Sequence, residues 1–358
     1  MIKKNALWML LIICTFSLRA QTPTIAVGGY VDAYFANDDD KGTDELNGGN
    51  RLFSYVNPTK NRFSINTAQI TAKIGVENVF RSNITLHMGD LHKTAWEAAD
   101  VSMPFIQQAN AGVRVAENIW IDGGIFLTHI GGESLLPKDN WLSTHSLVTY
   151  YEPFYQAGVR ASYESEKFTA QLHVLNGNGI IDENNYNKTF GWFFSYTPST
   201  VFSVSYAGVA GNEVPGNPKF ASTQALHNLV FQVNPFDKFS LKGQLDLGMK
   251  KVPDAENGGA MKSRLFSGYS ITAHYAFTDQ FSASGRYAFV DNAYAVFEPA
   301  VEGMETTLGF EYKPHANAYV RLEGRNISLG DDYKLFGSTA DLASTRKELI
   351  LNFGVWFN

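Results

Sequence analysis

The 358-residue chain contains one cysteine, Cys14, and no later stretch approaching the ~18 to 20 apolar residues that a membrane-spanning helix requires. The first shortage removes disulfides and thiol chemistry as sources of stability or activity. Lipid attachment at Cys14 is disfavoured too, because the residue before it is the bulky Ile13. The second shortage excludes a helical membrane protein. Basic residues are also short, 29 against 35 acidic, a balance that does not suit nucleic acid. Eight scattered histidines show no metal-ligand spacing, so neither a metal nor a cofactor is expected. There is no internal repeat, low-complexity tract or linker.

What is present begins with a leader. Lys3 and Lys4 precede the apolar run Ala6 to Phe16, and Ser17, Leu18, Arg19 and Ala20 complete a secretory signal over residues 1–20, with a cut before Gln21. Residues 21–358 then form one exported domain, and loss of the leader's three cations takes formal charge from −6 to about −9.

Period-2 apolar alternation recurs near residues 24 to 36, 63 to 76, 84 to 90, 107 to 115, 118 to 127, 154 to 163, 168 to 175 and 189 to 197. It continues near 201 to 209, 225 to 234, 239 to 250, 265 to 277, 280 to 290, 303 to 313, 318 to 328 and 347 to 358. The last of these ends the chain with Leu349, Leu351, Phe353, Val355 and Phe357 on one face and Ile350, Asn352, Gly354 and Trp356 on the other. Such a strand fits lipid on one side and a polar lumen on the other. Between residues 63 and 76 the apolar parity shifts between Ile65 and Ile70, which indicates a bulge or a strand boundary placed elsewhere.

Connections alternate between short turns rich in turn formers, such as Thr278-Asp279, and long segments near 37 to 62, 91 to 106, 128 to 153 and onward. A soluble sandwich has no reason to do this. A barrel in an outer membrane does, with tight periplasmic turns and longer external loops. Aromatics at the strand ends beside the short turns (Tyr163, Phe168, Tyr196, Phe202, Phe239, Phe277, Phe281, Tyr312 and Phe357) predict an interfacial girdle. The fold class expected is all-β, a transmembrane antiparallel up-and-down barrel of about 16 strands, 14 to 18 at the limits.

On that alternation the lumen receives Asp32, Arg114, Asp122, Arg160, Lys242, Asp246, Arg286, Glu311, Arg321, Glu323 and Arg325. Their near balance of sign gives no ion preference, and cross-strand pairing within a narrow lumen is the alternative use for them. The connection from Thr128 is the most distinctive. Gly131 and Gly132 permit a tight inward bend, after which Thr128, His129, Glu133, Lys138, Asp139 and Trp141 would narrow a pore or touch a solute. An ordinary external loop is the competing reading. His129, Ser134, Ser143 and His145 suggest a lipase only weakly, since their spacing specifies no triad. Asp38, Asp39 and Asp40, with Asp44 and Glu45, lack the regular spacing of a calcium loop.

Three segments, Gly29 to Tyr34, Asn118 to Trp141 and Arg321 to Arg325, resemble the OmpL-like outer-membrane family called beta-barrel porin type 2, and Tyr151 to Gly158 resembles its strand after the distinctive loop. Leu127 departs from that pattern, standing where proline is expected and altering the angle at which the loop leaves its strand. The resemblance implies an outer-membrane location and passive diffusion of small hydrophilic solutes. No established functional residues come with it. Expected partners are outer-membrane lipids, those solutes, the barrel-assembly machinery through the C-terminal strand, and further copies of the chain. The alternative is a closed barrel acting as adhesin, assembly partner or scaffold through its loops.

Overall fold

The computed structural model describes residues 21–40, 48–96, 104–183, 185, 187–213, 223–254 and 260–357. The leader read over residues 1–20, with Asp44, Glu45 and Asn358, lies outside them.

Sixteen strands close into one barrel by antiparallel pairing. They begin with β1 (Thr24–Asp38), β2 (Arg62–Val76), β3 (Phe80–Met88), β4 (Ile106–Ala116), β5 (Ile119–Leu127), β6 (Tyr155–Glu164), β7 (Phe168–Leu175) and β8 (Thr189–Tyr196). The second half comprises β9 (Phe202–Asn212), β10 (Thr223–Phe236), β11 (Phe239–Asp254), β12 (Ala260–Ala276), β13 (Phe281–Asn292), β14 (Val301–His315), β15 (Ala318–Leu329) and β18 (Thr345–Phe357). The last long connection holds a separate ribbon, β16 (Phe336–Ser338) with β17 (Asp341–Ala343), which the alternation did not reveal because each strand has only three residues. A short helix, α1 (Asp90–Trp96), lies between β3 and β4.

Closure pairs the first strand with the last, from Gly29 opposite Phe357 to Asp38 opposite Glu348. No strand edge is left for hydrocarbon, where an unpaired peptide group costs several kcal/mol. The bulge expected in β2 lies at Asn66, because Asp32 faces Thr67 while Ala33 faces Ile65. It turns the adjacent Asn66 and Thr67 side chains both inward, and both are fully buried.

Apolar side chains dominate the outward face, and many are exposed, for example Ile70, Leu172, Leu247, Leu308 and Val355. Of the expected girdle residues, all but the half-buried Phe239 are exposed. Phe281 stacks on Tyr312 at 4.8 Å between ring centres, and Tyr163 leans on Phe168 at 6.4 Å. Such rings suit the membrane-water boundary.

Inside, the outer half of the lumen is packed. Loop residues Phe53, Leu147, Val148 and Tyr151 form a buried cluster with inward wall residues such as Leu226, Phe266 and Ile327. A second cluster joins Val56, Leu91, Leu136 and Phe154 to Tyr30 and Tyr319. Leu226, Phe266 and Ile327, apolar inward positions near the external strand ends, depart from the polar lumen that the alternation implied, whereas Tyr30 and Tyr319 lie toward the short turns.

Candidate pore and its inward loop

The connection between β5 and β6, residues 128–154, folds into the lumen. Its base is closed by the Thr128 amide donating to the Phe154 carbonyl at 3.0 Å. A loop led through a barrel must satisfy its peptide groups there, and wall side chains do so. The amides of Gly131 and Gly132 donate to Asn228 Oδ1 (3.2 Å) and Gln244 Oε1 (2.8 Å), and the Gly132 carbonyl accepts from Lys242 Nζ (2.8 Å). Arg321 donates to the carbonyls of Pro137 (2.6 Å) and Asn140 (2.8 Å) while its Nε binds Glu311 at 2.5 Å. Glu323 accepts from the amides of Ser143 and Thr144, and Glu305 from that of Leu147 at 2.8 Å.

Arg286 is the centre of this anchorage. It donates to Glu305 Oε1 (2.7 Å), Glu133 Oε1 (2.7 Å) and the Thr144 carbonyl (2.6 Å). Burial opposes the charged form of Glu133, but Arg286, His145 and the Ser146 amide hold its carboxyl down to about 2. At the loop's end, burial and the facing Asp246 push the Glu152 carboxyl well up.

All eleven charged residues assigned to the lumen have inward parity, but they divide by surroundings. Arg286, Arg321, Arg325, Glu311, Glu323, Lys242 and Asp246 lie on the wall that holds the loop, and most are sealed beneath it. Asp32 is buried among Asn66, Asn352 and the Tyr319 hydroxyl. Arg114 is half-buried and binds the carbonyl of Ala116 at 3.2 Å. Asp122 and Arg160 join a second cluster in which Arg81 bridges Asp122 (2.6 Å) and Glu164 (2.9 Å), with Arg160 3.2 Å from Asp122.

The loop residues divide similarly. His129 stacks on His173 at 4.0 Å and donates to the Gly208 carbonyl at 3.2 Å, and burial pushes its pKa down to about 4, leaving it neutral. Trp141 stacks on His274 at 5.4 Å. Lys138 and Asp139 pair with each other at 2.8 Å at the loop tip. His145 donates to the Ser134 carbonyl at 2.8 Å, and neither serine hydroxyl of the lipase reading is bonded to either imidazole. In the acidic run, Asp38 pairs with Arg51 at 3.2 Å and with Lys60.

Sequence reasoning missed Arg81, Glu305 and the loop after β1. Glu305 shares the parity of Glu311 and was open to the same argument. Arg81 precedes the start read for its strand, which begins at Phe80. The first loop enters the lumen through Asn57, whose amide donates to Asn66 Oδ1 at 2.6 Å, and through the Phe53 carbonyl, which accepts from Arg325 at 3.0 Å.

Between the loop tip and strands β1 to β5, two water-accessible cavities of about 810 and 570 Å³ share Lys73, Asn83, Gln108 and Leu127. The larger also reaches Arg81, Trp120 and Arg160. They form a polar vestibule under the loop on the side of the short turns.

Over residues 24–357 this sequence matches the family described as beta-barrel porin-2, OmpL-like. The chain belongs to that family. No curated protein matches it in sequence. Its fold is shared with the anion-selective porin from Comamonas acidovorans, at 12% identity and TM-score 0.61, covering 94% of this chain and 100% of that one. The outer membrane channel DcaP of Acinetobacter baumannii gives 10% identity and TM-score 0.64 over 94% and 97%. Salmonella typhi OmpF gives 12% and 0.63 over 93% and 97%. At such identities these likenesses carry the barrel architecture alone. Membership of this family makes the chain an outer-membrane porin, and family and fold point to a channel rather than an enzyme. The segments that suggested the family fall on β1, on β5 with its inward loop, and on β15.

Proposed function

We propose that this porin passes small hydrophilic solutes by diffusion, without a cofactor, and that the loop from Thr128 to Trp141 sets the constriction. The observation that carries this reading is the polar vestibule, where water reaches Lys73, Arg81 and Arg160 up to the underside of the loop. Solutes would meet amides and hydroxyls from Gln69, Thr71, Asn83 and Gln108, which replace water without favouring one charge. Ion preference would then respond to Lys73 and Arg160 more than to the covered Arg321 and Arg325. The leader at residues 1–20 would direct export, and the C-terminal strand would engage the assembly machinery. Small outward residues on β2 to β6, including Ala68, Ala72, Ala111 and Gly123, would seat a second copy, which crosslinking in native membranes tests.

A closed scaffold is the second reading, favoured by the loop residues packed inside the lumen. Liposome swelling with small sugars separates the two. A pore gives rapid swelling that Lys73→Glu leaves intact while shifting reversal potentials toward cations. A scaffold gives none.

A further inference from the structure

One belt of the barrel wall is buried all the way round. Each of the sixteen strands contributes an inward residue that is 2 % exposed or less, and successive ones lie near one another in register. The ring runs through Tyr34, Gln156, Leu175, Leu226, Glu305 and Ile350, and it closes where Ile350 faces Ala36 across the first and last strands. A solute cannot slide along the wall at this level. Any passage must run between the loops that fill the centre.

Two cavities lie within those loops. The inner one, about 370 Å³, is bordered by the loop backbone from Leu127 to Leu135 and by Arg160, Gln171 and Phe193. The second, about 190 Å³, is lined by Tyr55, Tyr150, Tyr151, Phe297 and Glu298. Phe154 borders both. Its ring is wedged between Tyr55, edge-on at 4.9 Å, and His145 at 5.0 Å. The Phe154 carbonyl is fixed by the Thr128 amide, so the backbone there is tied.

We propose that the solute path passes through the inward loop and that the Phe154 ring is its gate, the septum between an aromatic outer pocket and the inner cavity below. This rests on the diffusion reading above. Rotation of one side chain joins the cavities without moving the barrel or the anchored loop, and side-chain rotation is far faster than displacing a segment held by several buried ion pairs.

The test is single-channel conductance in planar bilayers, with folding of each variant confirmed by its β-sheet circular dichroism. Phe154→Ala should raise conductance several-fold. With Cys14 replaced by serine, Phe154→Cys should lose most of its current on treatment with a charged methanethiosulfonate, whereas Leu226→Cys, sealed in the ring, should be unaffected. Unchanged conductance in Phe154→Ala, alongside a conducting variant that lacks residues 131–146, would overturn the gate while leaving the porin reading intact. Silence from that deletion variant in a folded barrel would instead remove the diffusion reading on which the gate depends.

Discussion

Arg286 shows how a buried charge sets the shape of this lumen. Its guanidinium is desolvated, and two carboxylates with two threonine oxygens compensate. Removing one partner from such a cluster leaves an unpaired buried charge, a loss of about 3–5 kcal/mol. Arg286→Met should therefore lower stability in detergent by that amount in equilibrium unfolding, and adding Glu133→Gln should recover part of it, as coupled residues do. Equal and additive losses would mean the two side chains act separately. Glu133 also has a pH signature. Its folded pKa of about 2 lies below the ordinary 4.5, so it stabilises the loop fully above pH ~4.5, and that contribution is lost as pH falls toward 2. Protease cleavage within residues 128–154 should accelerate over this acid window, and Glu133→Gln should remove that part of the pH dependence.

For strands and loops, backbone geometry decides what the sequence can reveal. Strands were legible because lipid imposes a period of two on the outer face whatever lies inside. The bulge at Asn66 was legible for the same reason, as a break in parity between Ile65 and Ile70. Inward direction was legible for Arg321 and Arg325, but exposure was not, because Arg321 is covered by the loop at Pro137, 184 residues earlier, and Arg325 by the loop at Phe53, 272 residues earlier. The apolar inward residues Leu175, Val209 and Phe266 were hidden as well, since an apolar residue on both faces blurs the alternation. The distinctive loop was visible through its length and its glycine pair. Gly131 takes φ 101°, and a Cβ there would overlap the Glu152 carboxylate. Gly131→Ala should cost at least about 1 kcal/mol, loosen the loop and increase conductance. Gly285→Ala, where an added Cβ meets nothing closer than 3.9 Å, should stay within about 0.5 kcal/mol of the parent. Matching behaviour of the two variants would count against a strained bend.

At the scale of the whole molecule, the barrel is an inside-out solution to burial: its largest apolar surface faces lipid, and its charges are paired within. Depth in the bilayer then governs the effect of a charge on the outer face. Leu308 projects outward from β14 and is 55% exposed, four residues above Tyr312 in the girdle. At a rise of ~3.4 Å per residue and a tilt of ~40°, it lies about 10 Å into the hydrocarbon. Leu308→Lys should cost about 2–4 kcal/mol when folding into lipid vesicles is titrated with denaturant, and Tyr312→Lys about 0–1 beyond the loss of its ring contact with Phe281. The order of the two costs matters more than their size. A soluble barrel has no depth axis and would tolerate both substitutions on its solvated face. A reversed order would place the girdle in the hydrocarbon, and with it the short turns on which the direction of the vestibule depends.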